Sequence, residues 1–402
     1  MKKTIQLFVL FLASLFLSGC WDRYDLEERA NILGLAIDVV DGDAENLTVP
    51  EVTYREGETH AGEQRSLYKV TAQLAVPGKI KLGPEGRGGS SSDETAWVLQ
   101  TTGFSMKDAM ANLQQQLAEK LYLGHLQITI VNEDVAKKGI DDICDFLKRE
   151  YEVRRTSWMV VSMGKAEDVL RAAPPVETVP SLYLSDTLEN AVRFGKLPRE
   201  YLGKFWVDRA DIGIDGVLPY IELIEQERIS IDGLAYFNDD KMIGSMTPYE
   251  IGIFLGIKGE NKGGYGLAVS TEDGGIYILE SYKRDTKIDI KIENNVPSIL
   301  INEKVEANIT ERTNMKSITN EKVEEIEKVA SNVASKKNNK AVKNWQENES
   351  DLLGIGARVR AKFPKYWSRE VKTMDKWREI YKQLQIEVNV QYEIIRTGML
   401  FR

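Results

Sequence analysis

Histidine and cysteine are scarce in this chain, with two of each in 402 residues. Each scarcity closes off a chemistry. A zinc site draws its ligands largely from these residue types at short paired spacings, and neither His60 nor His125 has another histidine or a cysteine nearby. Without a Gly-x-Ser-x-Gly elbow, His125 at its helix-to-strand junction reads as a hydrogen-bonded structural residue, and His60, within the polar stretch Glu56 to Glu63, as a solvated loop residue. No window beyond the N-terminus approaches eighteen consecutive apolar residues, so no later segment is read as a membrane span. A formal charge of −9 argues against a general nucleic-acid binder, for which a basic domain is expected. Carboxylates number 62, yet no spacing among them selects a catalytic pair. The expectation is a protein that is not an enzyme and holds no metal or cofactor.

What is present begins at the N-terminus. Lys2 and Lys3 precede an almost wholly apolar run from Ile5 to Leu17, followed by Ser18, Gly19 and Cys20. The run is about a dozen residues, roughly 18 Å as a helix, too short to cross a hydrocarbon core of about 30 Å. It reads as a secretory signal over residues 1–19, closed by a lipobox of Leu17, Ser18, Gly19 and Cys20. Small residues at Ser18 and Gly19 admit a peptidase, and the thiol of Cys20 can carry a thioether-linked diacylglycerol, with an N-acyl chain on the freed amine as a further option. One fourteen-carbon chain binds a bilayer only marginally, whereas two or three make a lasting anchor. Cys144, flanked by Ile143 and Leu147 on a helical face, is then left without a partner and reads as a buried structural thiol.

Removing residues 1 to 19 from 402 leaves 383, enough for two or three domains. The pattern predicts an α+β, multidomain protein: a mixed N-terminal α/β region over 20–210, of two subdomains, a linker at 211–216, and a C-terminal domain over 217–402 with an antiparallel sheet packed on long helices. Strands are expected over 32–40 and 47–54 as a hairpin, and over 67–76. Residues 83–93, rich in Gly and Ser, read as a loop; no Gly-Lys-Ser/Thr follows to cradle phosphate. Met106, Met110, Leu113, Leu117 and Leu121 recur at helical spacing behind a Ser105 cap. Residues 181 to 209 read as helical with Pro198 in a first turn. Thr247-Pro-Tyr-Glu250 is a helix start, and Asn294-Asn295 joins two long strands. A long helical pattern runs from Val323 to Val359, a final helix from Trp367 to Tyr381, and a closing strand from Leu384 to Arg396. Residues 354 to 402 carry eleven Lys/Arg against five acids, either a face toward anionic lipid or an acidic partner, or a solvated helix surface.

A set of short motifs, in order, resembles one known family. They are Cys20-Trp-Asp-Arg-Tyr-Asp-Leu-Glu27, Leu33-Gly-Leu-Ala-Ile-Asp38, Leu123-Gly-His-Leu126, Arg154-Arg-Thr-Ser-Trp158 and Gly233-Leu-Ala-Tyr-Phe237, then Glu306-Ala-Asn-Ile309, Asp351-Leu-Leu-Gly-Ile-Gly356, Phe363-Pro-Lys-Tyr-Trp367, Trp377 and Arg396-Thr-Gly398. The chain resembles the Ger(x)C spore germination lipoproteins, the C subunits of nutrient germinant receptors. The resemblance implies three α/β-type domains and a place on the extracytoplasmic face of the inner spore membrane. It also implies integral-membrane partner subunits of A type and permease-like B type, and a role in nutrient-triggered germination. Membrane lipid is reached through Cys20, and no nucleic-acid partner is implied. An alternative stays open, an extracytoplasmic solute-binding lipoprotein that captures a small nutrient itself, which would need a cleft between two similar lobes.

Overall fold

Apolar residues fill both faces of the strand β1 (Arg29–Val39), where Ile32, Leu35, Ala36 and Ile37 are fully buried, the signature of a central strand covered on two sides. The computed structural model describes residues 29–40, 67–76, 96–172, 179–225, 227–260, 264–313 and 318–397. β1 pairs antiparallel with β2 (Tyr68–Ala75) and parallel with β5 (Ile128–Asn132). The strand expected over 47–54 and the loop at 83–93 lie outside the described residues. Among the described residues a nine-stranded sheet runs β3 (Ala96–Gly103), β2, β1, β5, β6 (Trp158–Ser162), β7 (Val217–Ile224), β8 (Arg228–Asn238), β9 (Lys241–Met246), with β4 (Lys120–Tyr122) alongside the start of β1.

That order bears on the expected boundary. β7 pairs parallel with β6 through Val161 opposite Tyr220, so the strands after 211–216 continue the first sheet, and the sheets divide only after Met246. Glycine and aspartate in Asp211-Ile-Gly-Ile-Asp-Gly216 mark a turn, and composition alone does not separate a turn within a sheet from a linker between domains.

Helices α1 (Met106–Gln114), α2 (Glu133–Lys138), α3 (Asp141–Arg149) and α6 (Leu202–Ala210) cover one face of this sheet, burying Leu113, Val135, Phe146 and Phe205 with Ile37, Val161 and Phe237. The expected α1 stops at Gln114, and Leu121 joins β4 instead. On the other face lie α4 (Ala166–Arg171) and α5 (Pro180–Arg193). The helix expected over 181–209 is two helices, α5 and α6. Gly195, at φ +69°, ends the first, and Pro198 lies in the irregular segment between them, while Pro180 holds the first-turn position.

Thr247 and Glu250 close a reciprocal capping box at the start of α7 (Pro248–Lys258). Every residue from Ile251 to Ile257 is buried, because α7 is sandwiched between β8 and β9 on one side and the second sheet on the other. The second sheet runs β10 (Gly266–Ser270), β11 (Ile276–Glu293), β12 (Val296–Arg312), β13 (Gln385–Arg396). Asn294 and Asn295, at φ +54° and +62°, form the two-residue turn between β11 and β12, as mirror-image hairpin turns require. The first three strands are antiparallel as expected, but β13 joins β12 in parallel, since helices intervene between them.

The long helical pattern after Val323 is α8 (Asn320–Glu347) and α9 (Ile355–Lys362), separated by a turn with Glu349 and Gly354 at positive φ. The last expected helix is a π-helical turn, Trp367–Val371, followed by α10 (Met374–Gln383). Helix α8 lies along the outer edge of β13, where Glu327, Ser331, Ser335 and Asn339 accept hydrogen bonds from the backbone N–H groups of Ile394, Tyr392, Val390 and Val388 at 2.8–3.0 Å.

Candidate functional site

Leu17, Ser18, Gly19 and Cys20, together with His60, lie outside the described residues. His125 is described and half-buried, its ring tilted against that of Tyr122 with centroids 5.8 Å apart, and the Tyr122 ring carries the Arg29 guanidinium at 4.6 Å. Burial and the positive charges of Arg154 and Arg29 push its imidazole below the usual histidine range. Cys144 is buried on the inner face of α3, and burial raises its thiol.

A concentration of buried charge joins three turns and one helix that are distant in sequence. Asp351 is fully buried; its Oδ1 accepts from Ile355 N–H at 2.9 Å, and its Oδ2 from Gly356 N–H at 2.7 Å and Trp377 Nε1–H at 2.9 Å. It thereby caps α9, whose N-cap Gly354 offers no side chain. The Asp351 backbone N–H donates to Asp215 Oδ2 at 2.8 Å, and Asp215 N–H returns a bond to Asp351 O at 3.0 Å. Arg378 of α10 donates to Asp215 at 2.8 Å and to both carboxylate oxygens of Asp239, in the β8–β9 turn, at 3.0 Å. Burial pushes Asp351 up to about 7 and raises Asp215, against the pull of the Arg378 charge on the latter. Gly213 allows the close approach: at φ +106°, a side chain there would strike the Gly356–Ala357 backbone at 2.5 Å.

Sequence reading missed this cluster. Asp215 lay in the supposed linker, and the motifs containing Asp351 and Trp377 gave no hint of which charge they would meet.

Two cavities deserve a chemical test. One, beneath Tyr249, Tyr265 and Tyr392, holds the buried pair Arg284 and Glu303, 3.8 Å apart, but its volume is about 20 Å³. That is room for one water. The other is an open cleft of about 910 Å³ between the start of α1, α3 and the β8–β9 turn, floored by Tyr68, Met106 and Phe146. Its Asp141, Asp145 and Glu150 are ion-paired with Arg209, Arg149 and Lys107.

The basic C-terminal segment gathers on α9 and the turns after it. Arg358, Lys362, Lys365 and Arg369 are exposed at spacings of four, three and four, with Lys372 beyond them at φ +67°.

Comparison with known proteins agrees with the resemblance seen in the motifs. The spore germination protein N-terminal domain matches residues 22–223, and the spore germination B3/GerAC-like C-terminal domain matches residues 232–398. Spore germination protein KC of Bacillus subtilis (strain 168) is 24% identical, covering 99% of this chain and 97% of that protein. Spore germination protein A3 of the same strain is 25% identical, with 96% of each chain covered. A crystal structure of the GerBC protein shares the fold at a TM-score of 0.56 and 19% identity, over 83% of this chain and 95% of that one.

Proposed function

Because the chain belongs to the GerAC-like family of spore germination proteins, we propose that it is the lipid-anchored, non-enzymatic subunit of a spore nutrient germinant receptor. It works beside integral-membrane subunits of A type and permease-like B type, at the outer face of the inner spore membrane. The observation that carries this reading is the ordered match of both germination domains, which begins two residues after Cys20 and runs to residue 398. The lipobox supports the anchor. Tethering at Cys20 turns partner encounter into a search over a surface and raises effective concentration.

Two features support a role without catalysis. Asp351, which its perturbed pKa would otherwise nominate, has both oxygens occupied by N–H donors. Glu200, also pushed up to about 7 by burial, is only 1% exposed.

Deleting the chain should abolish the response to one set of nutrients while a receptor-independent trigger still works. Unchanged nutrient germination in a strain lacking parallel receptors would refute the proposal. The open cleft over Tyr68 and Phe146 favours the alternative, direct capture of a small nutrient. Calorimetric titration of the mature chain discriminates, because saturable heat with a nutrient favours the second reading.

A further inference from the structure

From the basic stripe on α9 and the turns after it we infer that this face docks on the headgroups of anionic phospholipids. Residues 355 to 372 hold six Lys/Arg and one acid, in a chain whose net charge is −9. Among the described residues, Arg360 is paired with Asp211 and Arg369 with its neighbour Glu370, while no carboxylate lies within ion-pair distance of Arg358, Lys365 or Lys372. Lys362 donates to the Ile290 carbonyl at 3.2 Å, and Arg369 to Asn295 Oδ1 at 3.1 Å, which fixes the stripe against the β11–β12 hairpin tip. Val296 on that tip is 53% exposed, an apolar side chain beside the cations.

The support beneath is packed. Trp367 and Val371 are buried, and the rings of Trp367 and Trp377 meet at a tilt with centroids 5.4 Å apart. A stripe of exposed cations at spacings of four, three and four, with an apolar residue at its margin, matches a negatively charged interface into which a short side chain can dip. The choice of lipid over an acidic protein rests on the proposed membrane anchoring, which keeps a bilayer within reach whatever partner is absent.

The test uses the mature chain carrying Cys20→Ser, which bears no lipid, sedimented with vesicles of phosphatidylcholine alone or mixed with phosphatidylglycerol. Binding is expected on the mixed vesicles only, and it should weaken as salt rises. Changing Arg358, Lys362, Lys365 and Arg369 to Gln should weaken it roughly fivefold per cation removed. The same change at Lys138, Lys148, Arg154 and Arg155, exposed cations of the N-terminal region, should leave it intact. Binding to neutral vesicles, equal loss in both quartets, or no binding at low salt would overturn the inference, as would capture of an acidic partner segment without vesicle binding. Mass spectrometry of the Cys20 peptide tests the anchor separately, so either idea can fail alone.

Discussion

Asn339 exchanges two hydrogen bonds with Val388: its Oδ1 accepts from the Val388 N–H at 3.0 Å, and its Nδ2 donates to the Val388 carbonyl at 2.7 Å. A side-chain amide thus stands where a residue of a neighbouring strand would stand. Ser335 does the same less completely for Val390, and Ser331 and Glu327 serve the N–H groups of Tyr392 and Ile394. Four helical residues rise about 6 Å and two strand residues about 6.6 Å, so the two repeats stay in step over this distance. The edge of β13 is closed by a helix, which removes a template for pairing with another chain.

Asn339→Asp therefore tests the edge. A carboxylate cannot donate to Val388, so the variant should lose about 1–3 kcal/mol, read as a lower urea midpoint. The combination Ser331→Ala, Ser335→Ala and Asn339→Ala should also increase self-association in sedimentation velocity.

Asp351→Asn turns an amide nitrogen toward one of the donors that the carboxylate now accepts, whichever way the side chain flips. The expected cost is about 2–4 kcal/mol by denaturant melting. Because Trp377 Nε1–H donates to Asp351, its fluorescence should shift in the same variant.

Glu200 makes the pH dependence specific. Its folded pKa is raised from 4.5 to about 7, with burial as the main cause, so the folded chain holds this proton more tightly than the unfolded one. The stability it contributes is complete below the unfolded value and lost as pH rises through 7; Asp351, also raised to about 7, acts in the same direction. Thermal melting should show stability falling between pH 5 and pH 8. Glu200→Gln should flatten part of that fall, and an unchanged slope would count against the assignment.

Phe254, fully buried in α7 and edge-on to Trp345 at 6.4 Å, sits in the layer between the two sheets. Phe254→Ala should cost about 3–5 kcal/mol in unfolding free energy. Unfolding followed by tryptophan fluorescence and by circular dichroism should shift together.

Local signals were legible. Thr247 to Glu250 announced a capped helix and Asn294-Asn295 a hairpin, because each is settled by residues within four positions. What stayed hidden was settled by residues far apart. Asp215 meets Arg378 across 163 positions, and nothing in either neighbourhood names the other. The polar row Glu327, Ser331, Ser335, Asn339 reads as a solvated helix face until a strand edge is found beside it. Lys372, at positive φ, breaks the final helix where composition showed none. The lipobox ending in Cys20 was read from the sequence alone and lies outside the described residues.

The second germination domain starts at residue 232, midway along β8, and the first ends at residue 223 inside β7. The seam between the two halves therefore runs through hydrogen-bonded fabric, with Leu223 opposite Ile229. Strands from both halves recognised by ancestry are thus woven into one sheet among the described residues.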